Sequence, residues 1–316
     1  MVNLNERAKY ITDALIDLAD DLKIGTSVSP DGTSLIDLGV SVTGGLEAGR
    51  LLAEVCLAGL AHVSYVPSSE IFPTTTAIQI ETDHPIQACM ASQYAGWQLA
   101  TDDYFGMGSG PMRAAAGKEK LFADIGFTEQ ASHAVGAIES GTPPSGSVCR
   151  LIADACGITP NNLTLAYAPT ASLAGSVQVV ARSLETALHK MHELGFDLAR
   201  VQSGTGLAPL PPVASDDLVG IGRTNDAILY GGEVSIWVTG DDESITAIGN
   251  RIPSLASKDY GKPFLEIFKE HDHDFYKIDP YLFSPSVINI SNLETGSYFR
   301  FGNFNSRVLE QSFGLS

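Results

Sequence analysis

Pro169 separates two segments of opposite periodicity, and that junction constrains the fold of the chain more than any other feature. Leu163-Thr-Leu-Ala-Tyr167 reads as a short strand. Proline then bars continuation either as a central strand or as a helix interior, so a loop must follow. From Val177 the apolar residues Val177, Val180, Ala181, Leu184, Leu188, Met191 and Leu194 recur at three- and four-residue intervals, and Gly195 stands where a helix ends. The spacing predicts one amphipathic helix after one strand, the repeating unit of an α/β fold. Gln178, Arg182, Glu185 and His189 form a polar stripe on its flank, with neighbouring Cβ atoms about 5–6 Å apart. Taken alone, such a stripe is a solvated face worth a few tenths of a kcal/mol per pair.

The rest of the chain alternates in the same way. Helices are expected over Leu4–Leu22, Leu46–Leu60, Pro85–Gly96 and Thr246–Arg251. Strands are expected over Ser34–Val40, His62–Val66 and Thr75–Glu81, near Val201, at Ile228–Tyr230 and over Val234–Val238, with a hairpin joining Ser286–Ile290 to Ser297–Phe301. The loop Ser140–Gly146, with two prolines and two glycines, is the candidate boundary. It suggests an N-terminal α/β domain over 1–145 and a C-terminal one over 146–316, with elements free to cross over. Leu207-Ala-Pro-Leu-Pro-Pro-Val213 reads as a stiff extended loop. At 316 residues and 44% hydrophobic content, the chain can bury one large core or two medium ones, and its length suggests about two domains.

Charge removes whole classes of partner. With 37 acidic against 19 basic residues, the formal net charge is −18, which repels nucleic-acid phosphates and anionic membranes alike. Cys56, Cys89, Cys149 and Cys156 lack CxxC spacing and read as free buried thiols. The N-terminus opens on a helical pattern, and no run approaches the roughly 18 apolar residues of a membrane span, so a cytoplasmic protein is expected.

Four clusters invite chemistry. Gly106-x-Gly108-x-Gly110-Pro111 fails the dinucleotide fingerprint, because Pro111 occupies the third glycine position, and no GK[ST] follows. A structural turn and a ligand cradle at the start of a helix both fit the residues that remain. Arg223-Thr-Asn-Asp226, placed before the expected strand at Ile228, offers a donor fork, a hydroxyl, an amide and a carboxylate; a ligand edge with paired donors and acceptors and a turn network would both use such a set. His271-Asp-His-Asp274 reads as a charged, solvated turn in preference to a metal site. His84 precedes Pro85 and is expected to be extended, which suits projection at a strand end and a plain strand-to-helix junction equally. No Ser/His/Asp order or reactive-cysteine signature is present.

Several blocks carry a family resemblance in order along nearly the whole chain. They are Gly44-Gly-Leu-Glu-Ala-Gly49, Thr82-Asp-His-Pro85, Ala95-Gly-Trp-Gln98, Asp103-Tyr-Phe-Gly-Met-Gly-Ser-Gly-Pro111, the segment Ala168–Thr186, Gly222-Arg-Thr-Asn-Asp-Ala-Ile-Leu-Tyr-Gly-Gly232, Asp259-Tyr-Gly-Lys-Pro-Phe264 and Phe275-Tyr-Lys-Ile-Asp-Pro280. The sequence resembles the methenyltetrahydromethanopterin cyclohydrolases. The resemblance implies two α/β domains with a substrate cleft between them and a homotrimer. It also implies an enzyme of one-carbon metabolism, methanogenesis included, that interconverts N5,N10-methenyl- and N5-formyl-tetrahydromethanopterin or the sarcinapterin relative. The pterin is the substrate carrier, and no metal or redox cofactor is implied. Glu185 and Arg182 are the implied catalytic residues. Substrate contacts are implied at Asp83, Ser109, Gly110, Thr170, Ser172, Gln178, Arg223, Thr224, Asn225 and Asp226. A non-catalytic pterin-binding or carrier protein is the alternative, in which Glu185 would be dispensable.

Overall fold

The computed structural model describes residues 2–315. From the amino end, helices α1 (Leu4–Asp17) and α2 (Ala19–Leu22) lead into strands β1 (Gly25–Val28) and β2 (Ser34–Asp37), then α3 (Leu46–Cys56), β3 (His62–Pro67) and β4 (Thr76–Thr82). A π-helical segment, Ile86–Gln93, is followed by β5 (Trp97–Thr101), β6 (Tyr104–Ser109), α4 (Met112–Ala116), α5 (Lys120–Ile125), β7 (Ala134–Glu139), α6 (Gly146–Cys156) and β8 (Leu163–Ala168). The remainder runs α7 (Leu173–Val180), α8 (Ser183–Glu193), β9 (Val201–Pro209), α9 (Asp217–Gly231), β10 (Glu233–Val238), α10 (Glu243–Gly249), α11 (Phe264–Glu270), β11 (Val287–Asn292), β12 (Tyr298–Gly302) and α12 (Ser306–Phe313). The architecture is mixed α/β and has two compact units. One holds the chain up to His62 together with Ile86–Gln178; the other holds Val63–Pro85 together with the chain from Val179 onward. Relative to a single cut after residue 145, Val63–Pro85 and residues 146–178 are the segments that change sides.

The first unit is built on a six-stranded sheet ordered β1-β2-β8-β7-β6-β5. Its central trio, β2, β8 and β7, is parallel, while β1, β6 and β5 run antiparallel to their neighbours. Parallel strands need cover on both faces, and the side chains divide accordingly. Ile36, Val135, Ala137, Ala166 and Ala168 pack with residues of α1, α3 and α7, whereas Leu35, Ala134, Ile138, Leu163, Leu165 and Tyr167 pack with Val148, Cys149, Ile152 and Ala153 of α6. Gly49 on α3 admits α7: a Cβ there would lie 2.9 Å from Cα of Ala174 and from Cβ of Val177. All four cysteines are buried as thiols outside any disulfide, as the sequence suggests.

The second unit carries the order β12-β11-β10-β9-β4-β3. Only the β10–β11 pair is parallel among the pairings whose register is given. Paired residues share a face, so Ile78, Ile80, Gly204, Gly206, Ala208, Val234, Ile236, Ile288 and Ile290 make one apolar side, on which α8 lies. The other side is polar: Arg300 donates to Glu233 at 2.5 Å and to Asn289 at 3.0 Å.

Several expected elements take a different form. Ile228–Tyr230 ends a fifteen-residue helix, α9, and is not a strand. Asp216 caps that helix by accepting from the Val219 N–H at 2.9 Å, and the buried Ala227, Ile228, Leu229 and Tyr230 pack it into the unit, so tertiary context overrides their strand preference. The glycines from 106 to 108 lie in strand β6, with the turn deferred to Gly110, whose φ of +90° favours glycine. β9 extends through Leu207–Pro209, into what reads as a loop. No helix among the described residues is long and apolar enough to cross a membrane.

Candidate active site

In the first unit, the crossover from β7 runs through α6 on one face of the sheet, whereas the chain leaving β8 enters α7 on the other. Adjacent parallel strands whose connections diverge in this way open a crevice beyond their carboxyl ends, where ligands bind in open α/β sheets. Glu139, the last residue of β7, and Thr170, just beyond β8, meet at that point: the Thr170 hydroxyl donates to the Glu139 carboxylate. The turn below is made of hydroxyls. Ser172 donates to the Pro169 carbonyl at 2.7 Å and accepts from the Gly175 N–H at 2.9 Å, and Ser176 donates to the Thr170 carbonyl at 3.1 Å. Gln178, two helical turns of α7 further along, accepts from the Cys56 thiol at 4.0 Å. Of the expected contacts, the Thr170 side chain reaches a carboxylate at the switch point, while Ser172 bonds within its own turn.

Ser109 and Gly110 serve a different structure. The π-helical segment leaves its last carbonyls without helical partners, and these are taken from outside. The Ser109 hydroxyl donates to the Gln93 carbonyl at 2.6 Å and the Gly110 N–H to the Ser92 carbonyl at 2.9 Å. The fully buried Arg113 donates to the Met90 and Ser92 carbonyls, both at 3.1 Å, and is neutralised by Glu119. The glycine–proline turn therefore closes the π-helical segment. α4, which follows it, is only five residues long.

The second unit holds Arg182 and Glu185, and here the expected single helix is broken. α7 ends at Val180 and α8 starts at Ser183, with Arg182 between them at φ −93°, ψ 4°. Neither glycine nor proline marks the break. Glu185 consequently lies in the first turn of a new helix, where exposed N–H groups and the helix dipole favour negative charge. Both side chains are buried, Arg182 at 8% exposure and Glu185 at 4%. The seat of that turn is bare backbone on β9. A Cβ at Gly204 would lie 2.8 Å from the Leu184 methyls, and one at Gly206 would lie 3.0 Å from the Leu184 nitrogen. Asp83 stands at the same end of this sheet, since Thr82 pairs with Gly204, and it accepts from the Ser203 hydroxyl at 2.7 Å.

Arg223, Thr224, Asn225 and Asp226 do not converge on one point. They sit within α9, not before a strand, and each is engaged with backbone. Arg223 donates to the carbonyls of Ser312 and Pro212 at 3.3 and 3.2 Å, Thr224 to Gly220 at 2.9 Å and Asn225 to Ile221 at 2.9 Å. Asp226, wholly buried, accepts from the Phe264 N–H at 2.8 Å, and burial pushes its carboxyl up to about 8 against the opposing pull of the Ser312 hydroxyl and that N–H. His271–Asp274 forms a turn with Asp272 and His273 at positive φ, and no group of three or more His, Cys, Asp or Glu side chains among the described residues could hold a metal.

Two features went unseen in the sequence. Glu139 closes an apolar strand just before the Ser140–Gly146 loop, a weak signal that only pairing with β8 makes meaningful. Gly204-x-Gly206 was the other, a pair of strand glycines that marks close approach of another element.

Comparison with known proteins adds an independent line. The sequence matches the family described as Cyclohydrolase (MCH) over residues 3–313. It is 45% identical to a methenyltetrahydromethanopterin cyclohydrolase of Methylobacillus flagellatus over 314 residues, 99% of this chain and 96% of the relative. A protein of the same name from Rhodopirellula baltica is 48% identical over 289 residues, covering 90% and 87% of the two chains. A protein of that name from Methanococcoides burtonii is 43% identical over 317 residues, covering 100% and 99%.

Proposed function

Because the chain belongs to the cyclohydrolase (MCH) family, we propose that it interconverts N5,N10-methenyl-tetrahydromethanopterin, or its sarcinapterin relative, with the N5-formyl form, taking up water in the hydrolytic direction. The observation that carries the chemical reading is the placement of Glu185, a buried carboxylate in the first turn of α8.

The methenyl bridge is an amidinium cation whose carbon is already electrophilic. Water adds to that carbon as Glu185 accepts one of its protons. The C–N10 bond of the neutral adduct then breaks, Glu185 returns the proton to N10, and the adduct's hydroxyl proton leaves to solvent as the N5-formyl carbonyl forms. One proton is released overall. No oxidation state changes, so the chemistry calls for no redox cofactor, and the charge already on the substrate does the polarising that a metal would otherwise supply. General acid–base transfer of this kind is worth about 10²–10⁴-fold. Arg182 orients the carboxylate and holds the attacking water or the developing oxygen. Thr170 and Glu139 offer acceptor oxygens to N–H groups of the pterin's polar edge, the Thr170 hydroxyl proton being engaged by Glu139. Ser109 and Gly110 act through the π-helical segment they close. The backbone contacts of Arg223, Thr224 and Asp226 support a role in the fold.

We place the enzyme in the cytoplasm as a homotrimer, serving one-carbon metabolism, methanogenesis included. The test is direct: the methenyl cation absorbs in the near ultraviolet where the formyl product does not. Purified protein should discharge that absorbance, and Glu185→Gln should lose at least about 10²-fold in kcat while still binding the pterin. A variant retaining a tenth of the rate removes Glu185 from the mechanism.

A further inference from the structure

α8 is gripped at two places. Its first turn rests on Gly204 and Gly206, and from its far half Lys190 reaches away from solvent, 1% exposed. Lysine is among the side chains least often buried to that degree. Its ammonium donates to the Tyr281 carbonyl and lies 4.6 Å from the centre of the Tyr281 ring. Tyr281 belongs to a short turn whose cap, Asp279, accepts from the Tyr281 N–H at 3.0 Å and the Ser257 hydroxyl at 2.7 Å. The charged groups bearing on the ammonium are Asp279, which favours its charge, and Arg251, which opposes it; His189 and Glu193 lie 3.9 Å apart on the same helix. Burial outweighs Asp279 and brings the ammonium down to about 8.

A buried ammonium held by one carbonyl and one ring face costs desolvation that a methionine of similar length would not, so packing alone does not account for it. What it adds is direction, because a donor fixed on one carbonyl and one ring face sets how a helix lies where apolar contact lets it slide. We propose that Lys190 is a positioning residue for proton transfer, its ammonium on the Tyr281 carbonyl and ring fixing the lie of α8 and hence the aim of the Glu185 carboxylate. Glu185 and Lys190 are five positions apart, which puts them well round the helix from each other, so the effect passes through the helix body. The proposal rests on the reading of Glu185 as the proton-transfer group.

The test compares wild type, Lys190→Met and Lys190→Arg from pH 6 to 9.5 with the methenyl pterin, after subtraction of uncatalysed hydrolysis, with Glu185→Gln alongside. Lys190→Met should lower kcat about tenfold with KM within about twofold, and should melt no lower than wild type at pH 7. Wild-type kcat should fall above about pH 8 as the ammonium loses its proton. That fall should vanish in Lys190→Arg, whose charge persists, with most of kcat restored. Full kcat in Lys190→Met, or the same alkaline fall in all three proteins, overturns the proposal. Should Lys190→Met fail to fold, the wild-type and Lys190→Arg profiles decide, a shared alkaline fall again being fatal. An active Glu185→Gln would sink the proton-transfer reading itself, whereas an inactive one beside a fully active Lys190→Met would sink only the role of Lys190.

Discussion

Asp226 shows how burial rewrites a residue whose type alone suggested ligand binding. Its carboxyl is pushed up to about 8 by desolvation, far above the usual value near 3.9 of an unfolded chain. Between those values the folded protein keeps a proton that the unfolded chain has lost. Stability from this group is therefore complete below about pH 4, declines as pH rises, and is exhausted by about pH 8, with a slope approaching 1.4 kcal/mol per pH unit. Asp226→Asn keeps the acceptor for the Phe264 N–H and cannot ionise. Denaturation midpoints of variant and wild type should nearly coincide at pH 4.5 and diverge in the variant's favour by pH 7.5, with KM unchanged. A pH-independent difference would show that the buried carboxyl does not hold its proton. A raised KM would return Asp226 to the substrate. Arg182 and Glu185 call for a different measurement. If Arg182 works by orienting Glu185, Arg182→Ala combined with Glu185→Gln should be hardly slower than Glu185→Gln alone; penalties that multiply would give Arg182 an independent task.

At the scale of elements, the break at Ala181–Arg182 matters most, and the sequence conceals it. The apolar spacing from Val177 to Leu194 fits one helix well, because α7 and α8 each present an apolar stripe and no breaker residue stands between them. What decides the geometry is non-local: the two glycines of β9 that receive the first turn of α8. Gly206→Ala tests that seat. Its methyl group would clash with the Ser183 hydroxyl, meet the Leu184 nitrogen at 3.0 Å and push the turn off the sheet. The expected result is kcat reduced by about tenfold or more, and stability lowered by roughly 1–3 kcal/mol, the usual cost of overpacking. An unchanged kcat with lowered stability would mean that the seat supports the fold without aiming Glu185. The misread strand at Ile228–Tyr230 teaches the same lesson from the other side. Asp216 and Asp217 cap and open the helix, and the packing of α9 carries it through three apolar residues whose local pattern also fits a strand.

For the molecule as a whole, the sequence carried the α/β class, most strand positions, the terminal hairpin and the burial of the four cysteines, all of which follow from local periodicity and composition. It could not carry the pairing of β7 with β8, which alone brings Glu139 to Thr170, nor the assignment of Val63–Pro85 to the later unit, because both depend on contacts between distant segments. Net charge is a global property that passes from sequence to molecule almost unchanged, the proton kept by Asp226 being a small correction to it. At −18 the folded chain packs 37 acidic groups against 19 basic ones, and like charges within a compact body repel more than they do along an extended chain. Dissolved salt shortens the reach of that repulsion from about 30 Å at 0.01 M to about 8 Å at 0.15 M, so it should stabilise the folded state. The melting temperature should rise by several degrees between 10 and 150 mM potassium chloride and level off beyond, where the screening length falls below the typical spacing of surface charges. Sucrose at equal osmolality provides the uncharged comparison. A melting temperature indifferent to salt in that range would mean that ion pairs such as Arg150–Asp31 and Arg300–Glu233 already offset the excess acidity locally.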